Sequence, residues 1–219
     1  FYAPLTQNSC FCSGFVRFPM AVFSSSIYPP NELWDYASRL YARGRVSEAC
    51  LAFQARYDVD VNILLFCCWV ASSGRGMFHT GELESALKDV ADWRKSVVGP
   101  LNQLKKHLKG PITPAPRPLA EDLRRVVVES ELHAEHAEVL MLHAAMARAG
   151  TGTFDRYQQL DDSIGNLYLY FSLLGVQLND TDLQDLVEIL SNAFPGEQAQ
   201  RIMKMCETVA IRMTAGIDR

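Results

Sequence analysis

Three of the five histidines in this chain lie within the segment ELHAEHAEVLMLH, residues 131–143. Imidazole nitrogens are common ligands of transition metals, and carboxylates often complete such sites. The cluster therefore has two interpretations, metal binding or packing against neighbouring parts of the protein. The spacing of the histidines along a helix decides which of them could act together.

On a helix with about 100° between successive residues, His136 and His143 project within about 20° of each other, and His133 lies about 60° away. His143 is two turns, roughly 10 Å, from His136, so the three side chains cannot share one ion. His133 and His136 are candidate ligands of a divalent transition metal, with Glu129 as a strained third candidate. At least one further ligand would have to come from elsewhere. The alternative is that these histidines pack at contacts between helices or subunits.

The glutamates of this segment project away from the histidines. Glu131, Glu135 and Glu138 fall on the opposite side of the helix, and this side is predicted to face solvent. The histidine side is predicted to be the packed side, because it also carries the apolar residues Val128, Leu132, Val139 and Leu140.

Two tryptophans stand beside charged residues and predict a contact surface. Tryptophan and arginine are frequent anchors of protein–protein contacts. Trp34, Trp93 and Arg94 are therefore the candidate partner-binding residues. The alternative for Asp92-Trp93-Arg94 is that Trp93 packs inward and that Arg94 pairs with an acidic group on a neighbouring helix.

The elements that position these residues are predicted to be helices. Apolar residues recur with helical spacing and no convincing period-two alternation is found, which predicts an all-α fold, an irregular bundle of about seven or eight helices. Gly99-Pro100 predicts a kink or break within a long helix over residues 81–109. A shorter helix is predicted over residues 163–175. The predicted N-caps are Asn31, Ser47, Thr80 and residues 179–181, and Asp60 directly precedes the apolar helix that begins at Val61.

Composition changes divide the chain into four predicted parts. Residues 1–30 are expected to be disordered or extended, and the native protein is expected to begin at Met20. Residues 31–109 form a helical domain. The proline-rich stretch 110–118, GPITPAPRP, reads as a stiff linker. Residues 119–219 comprise a long helix to about residue 149 and C-terminal helices, expected to pack on the first part.

Charge and hydropathy argue against a nucleic-acid-binding protein and against a membrane-spanning protein. The formal net charge of −4 gives no general basic surface for phosphates, so nucleic-acid binding is not expected. No apolar stretch reaches the roughly 20 residues that span a bilayer. The six cysteines are scattered without a disulfide or zinc pattern, which is typical of a reducing compartment. A cytoplasmic protein without a membrane span is predicted.

The first half of the chain resembles a known family. The series LWDYASRLYA, ACLAFQ, DVNILLFCCWVA and DWRKSVVGPLNQLKKHLKG resembles an uncharacterised proteobacterial family, domain of unknown function 2390. The resemblance covers about residues 33–110 and extends more weakly to about residue 145. It implies a small bacterial cytoplasmic helical protein, and it brings no established activity or catalytic residues. The residues that carry it are Leu33-Trp34, Asp60-Val61-Asn62, Trp69, Trp93-Arg94 and Pro100-Leu101.

Three functional hypotheses follow from these observations. The first is a non-catalytic module for protein–protein interaction or self-association, in which the long helix can pack against a second copy. The second is a metal-binding protein or metal-dependent enzyme that uses His133 and His136. The third is a carrier of an apolar small molecule in the interior around Leu64, Leu65 and Trp69, and it predicts a large enclosed apolar pocket. No cofactor other than that divalent metal is predicted.

Overall fold

The computed structural model describes residues 28–110, 116–152 and 155–214, with side chains described as far as residue 211. Contacts divide the chain after Pro30, and all the described helices belong to the unit that begins at Asn31. Within these ranges the regular structure is helical and no strand occurs, which confirms the all-α fold class. The expectations for residues 1–27, including a start at Met20, lie outside the described residues, as do positions 111–115 of the linker.

The described part of the chain contains nine α-helices and two π turns. In chain order they are α1 Glu32–Tyr41, α2 Val46–Tyr57, α3 Val61–Val70, the π turn Ala71–Arg75, α4 Glu82–Trp93, the π turn Arg94–Val98, α5 Gly99–His107, α6 Arg117–Ala145, α7 Arg156–Leu173, α8 Asp180–Ala193 and α9 Ala199–Thr214. The second π turn joins α4 to α5 without a gap, so these two helices form one continuous element, here called the α4–α5 rod. The long helix predicted after the linker is α6.

Side-chain caps fix the start of several helices. Asn31 Oδ1 accepts a hydrogen bond from Trp34 N at 2.9 Å, and Asp60 Oδ1 accepts one from Asn62 N at 2.7 Å. Asn179 forms a capping box with Asp182 at the start of α8. The predicted caps at Asn31 and Asn179 are confirmed, and Asp60, which precedes the apolar helix, caps it.

Two other cap predictions are wrong. Helix α2 begins one residue before Ser47, at Val46, with Arg45 in the cap position. Helix α4 begins after Gly81, whose φ of 75° suits a residue without a side chain, so Thr80 is not the cap. The carboxylate of Glu82 instead accepts a hydrogen bond from His79 N at 2.9 Å.

The α4–α5 rod passes Pro100 by widening one turn. Gly99 N donates to Arg94 O, five residues earlier, and this wider π turn precedes the proline that lacks a donor. A Cβ on Gly99 would lie 3.1 Å from Arg94 O, so the absence of a side chain permits this close approach. The predicted irregularity at Gly99-Pro100 is therefore a π turn that keeps the rod continuous.

Helix α3 lies in the core, as its apolar sequence predicts. Every residue from Ile63 to Val70 is buried, and α7 packs along α3 while α8 packs on α2 and α9. Helix α7 begins at Arg156, seven residues before the predicted start, with Asp155 Oδ1 accepting from Gln158 N at 2.7 Å. Its first two turns are mostly polar, which hides them from a search for apolar periodicity.

The interior around Leu64, Leu65 and Trp69 belongs to a continuous cluster of packed side chains. Beside Trp69, a cleft of about 290 Å³ has a partly polar lining that includes Tyr36, Arg39 and Ser72. Its lining differs from the enclosed apolar pocket that a carrier predicts, and a carrier role stays a prediction. Among the described helices, none combines the length and the apolar character needed to cross a membrane.

Candidate functional site

Helix α6 presents its glutamates to the protein interior. Glu131, Glu135 and Glu138 recur with a spacing of four and three residues and form what we call the inner face. Glu131 and Glu138 are buried and Glu135 is partly buried. The prediction that these residues face solvent is wrong, because the α4–α5 rod packs against this side of α6 and supplies cations to it.

One guanidinium joins two of the buried carboxylates. Arg94 Nε lies 2.5 Å from Asp60 Oδ2 and 3.3 Å from Glu138 Oε1. Asn62 Nδ2 donates to Glu138 Oε2 at 3.0 Å, and Tyr170 OH accepts from Asp60 N at 3.1 Å. This group of contacts connects α3, the second π turn, α6 and α7.

The electrostatics of this group favour a bound proton. Burial, followed by the neighbouring charge of Asp60, raises the pKa of Glu138 from 4.5 to about 8, although Asn62 and Arg94 act in the opposite direction. Two buried carboxyl groups that face one guanidinium cannot both ionise without leaving an excess negative charge. We therefore expect Glu138 to retain its proton at neutral pH.

The other end of the inner face has its own ion pair. Lys105 Nζ contacts Glu131 Oε2, while Glu131 Oε1 is buried and has no hydrogen-bond partner among the described residues. Between the two ends, burial and the charge of Glu131 raise the pKa of Glu135 to about 7. Three glutamates of α6 thus face two cations of the rod.

Trp93 and Arg94 make contacts within the chain, which corresponds to the second interpretation of that stretch. Trp93 Nε1 donates to Ala134 O at 2.9 Å, and Arg94 is held by Asp60 and Glu138. A role for Trp34, Trp93 and Arg94 in binding a partner stays a prediction.

The histidines of α6 stand against aromatic rings. His136 is buried and stacks on Trp34, with ring centroids 3.9 Å apart and an angle of 6° between the planes. His143 lies 5.2 Å from the ring of Trp69. Burial, and then the charge of His133, lower the pKa of His136. These contacts show how two of the three histidines pack on neighbouring helices.

The candidate metal ligands are not gathered around one point in the described residues. His133 is partly buried, His136 stacks on Trp34, and Glu129 is exposed. In the same ranges no group of three or more histidine, cysteine, aspartate or glutamate side chains is arranged to hold a metal ion. A metal site at these residues stays a prediction, and elemental analysis of the untagged protein is its test.

The opposite side of α6 is apolar and open. We define the outer face of α6 by Leu119, Leu123, Val126, Ser130, His133, Ala137, Leu140 and Ala144, all of which are exposed or partly buried. Over its first turns the exposed fractions are large, 63% for Leu119, 49% for Leu123 and 52% for Val126. Leucine and valine at helical spacing predict a buried side, and the described residues do not cover it here.

These two faces offer different chemistry. On the inner face Glu138 pairs with Arg94 and Glu131 with Lys105, so these ion pairs join α6 to the rod. The outer face begins with the exposed side chains of Leu119, Leu123 and Val126 and presents apolar area to its surroundings. Apolar side chains grouped on one exposed surface are characteristic of contact sites.

A comparison with protein families matches about half of the chain. The model of a family described as "Protein of unknown function (DUF2390)" matches residues 32–142, from α1 almost to the end of α6. This match includes the inner face and the outer face up to Leu140. Neither the curated proteins nor the solved structures yield a match to this chain.

Proposed function

The chain belongs to the DUF2390 family of proteins of unknown function, and from that premise we propose that it is a non-catalytic protein-binding module whose contact surface is the outer face of α6. The observation that carries this proposal is the exposure of Leu119, Leu123 and Val126, which share one side of the helix. Single exposed leucines are ordinary in folded proteins, whereas a continuous exposed row is not.

The neighbourhood of this row supports the proposal. The rod covers a different side of α6 and leaves this row exposed. Leu51 on α2, by contrast, stands without a second exposed large apolar residue on the same helix, whose side chains are all described. Burial of apolar area is the main favourable term in association, at about 25 cal/mol per Å² before the costs of association.

Site-specific photo-crosslinking in cells of the source organism tests this function. Leu123 is replaced by p-benzoylphenylalanine, and the matched control carries the same replacement at Leu51, which is similarly exposed at 50%. We expect discrete adducts of higher mass from position 123 and none from position 51. The absence of adducts at position 123, or equal adducts at both positions, would overturn the proposal.

A further inference from the structure

The outer face of α6 has the spacing of a coiled-coil seam. From Leu119 to Ala144 its members are separated by four and three residues in strict alternation. This 3.5-residue period keeps one side of a helix turned toward a partner helix. The seam spans 25 residue steps, about 38 Å at the rise of an α-helix.

The side chains of this seam are graded by size along the helix. Its N-terminal part carries Leu119, Leu123 and Val126, whereas its C-terminal part contains the two small residues Ala137 and Ala144 on either side of Leu140. A second helix in parallel would place small side chains against small ones and leave that end poorly filled. An antiparallel helix would place the large end against the small end, and the layers would be filled more evenly.

The layers of the antiparallel pair follow from the spacing. Leu119 meets Ala144 of a second copy, Leu123 meets Leu140, and Val126 meets Ala137, while Ser130 and His133 meet beside the symmetry axis. Because the pairing is reciprocal, two identical helices satisfy it with one twofold axis, and the assembly closes as a dimer.

The charges beside the seam are compatible with this orientation. Asp122 and Glu129 lie along one edge of the outer face, one position before Leu123 and Ser130. In the antiparallel register the corresponding edge of the other copy places positions 143 and 136, neither of which is acidic, opposite Asp122 and Glu129. The acidic residues of the two copies therefore do not face each other, so like charges are kept apart.

We propose that the partner seated on the outer face of α6 is a second copy of this chain, packed antiparallel through the seam from Leu119 to Ala144. This inference rests on the proposed function, since it names the occupant of the same surface. It predicts a reversible homodimer of the full chain in the absence of any other protein.

Sedimentation equilibrium of the purified full chain tests the dimer. We expect the mass to rise toward twice the chain mass with concentration, and Leu123→Glu to weaken dimerisation about a hundredfold, since it places a charge at the seam in both subunits. Leu51→Glu is the matched control and should dimerise as the wild type does. A strict monomer at all concentrations, or a dimer that Leu123→Glu leaves unchanged, would overturn the proposal.

Crosslinking between isotopically distinct copies tests the orientation. A chain with p-benzoylphenylalanine at position 119 is mixed with ¹⁵N-labelled chain, irradiated and digested, so that mass spectrometry separates crosslinks between copies from those within one. We expect crosslinks between copies to fall near residue 144. Attachment near residue 119 of the other copy excludes the antiparallel pairing, and attachment confined to the same chain, including its residues 1–30, excludes the second copy as occupant.

The two proposals can fail separately. Adducts with a different protein at position 123 in cells, combined with a strictly monomeric purified chain, would remove the homodimer and leave the protein-binding function in place. The absence of adducts in cells, combined with a monomer in solution, would remove both.

Discussion

Along α6, the side turned toward the α4–α5 rod carries three glutamates, whereas the side turned away from it begins with two leucines and a valine. The glutamates of the inner face can be buried because Arg94 and Lys105 of the rod supply two positive charges. A proton bound to Glu138 takes the place of a third cation. The outer face instead leaves Leu119, Leu123 and Val126 exposed. An acidic face of a helix can therefore be buried when the surface that packs against it supplies cations.

The largest effect is expected from removing the shared cation of the inner face. Arg94→Met leaves Asp60 and Glu138 buried without a guanidinium, and breaking such an ion pair costs about 3 kcal/mol of unfolding free energy. Urea unfolding at neutral pH measures this change. Arg117→Met is the control, because Arg117 pairs with Glu121 on the surface, and it should behave as the wild type does.

A second variant checks the cause of that loss. Arg94→Met combined with Glu138→Leu removes both the cation and one of the buried carboxyl groups, so part of the lost stability should return. If Arg94→Met alone is no less stable than Arg117→Met, the inner face is solvated and the contrast between the two faces of α6 disappears.

The next effect is a dependence of stability on pH. In the folded chain Glu138 holds its proton up to about pH 8, whereas its ordinary pKa is 4.5. The folded state therefore binds more protons than the unfolded state in this window, and the unfolding free energy falls as the pH rises from about 4.5 to about 8. Glu135, with a pKa of about 7, acts in the same direction.

Unfolding measured across this range should show a loss of a few kcal/mol, because each unit of pKa difference is worth about 1.4 kcal/mol. Glu138→Gln should remove most of the slope, while Glu129→Gln, on an exposed side of the same helix, should keep it. If the unfolding free energy of the wild type rises over this interval, Glu138 is not buried in its protonated form.

The helices could be predicted from the sequence, whereas the buried face of α6 could not. Helical periodicity and the caps Asn31, Asp60 and Asn179 depend on residues close together in the chain, so they could be predicted. Whether the inner face is buried depends on the α4–α5 rod, which is distant in the sequence. A helical projection shows which residues share a face, but it does not show which face packs against another helix. Arg94 and Lys105 on the helix before the linker were the available signal, since an antiparallel return of α6 brings acidic residues past them.

A smaller effect is expected where α6 meets α1. Trp34→Leu removes the ring that stacks on His136 and should cost about 1 kcal/mol. It also exposes the imidazole, whose pKa burial lowers, so this pKa should move up toward its ordinary value. NMR titration of the His136 ring measures the shift. Trp34→Phe keeps an aromatic ring and should preserve most of the lowered pKa, and an unchanged titration in Trp34→Leu would show that burial by α1 is not its cause.

The smallest effect on the folded monomer is expected at the outer face. At concentrations low enough for the chain to be monomeric, Leu123→Glu should change the unfolding free energy by less than about 0.5 kcal/mol, because an exposed side chain loses little apolar contact on substitution. At higher concentrations the wild type should gain stability by mass action and the variant should not. A loss above about 1.5 kcal/mol in the dilute variant would mean that this chain itself covers Leu123. The outer face would then also be buried within the chain, and the two faces of α6 would differ only in that one packs through ion pairs and the other through apolar contacts.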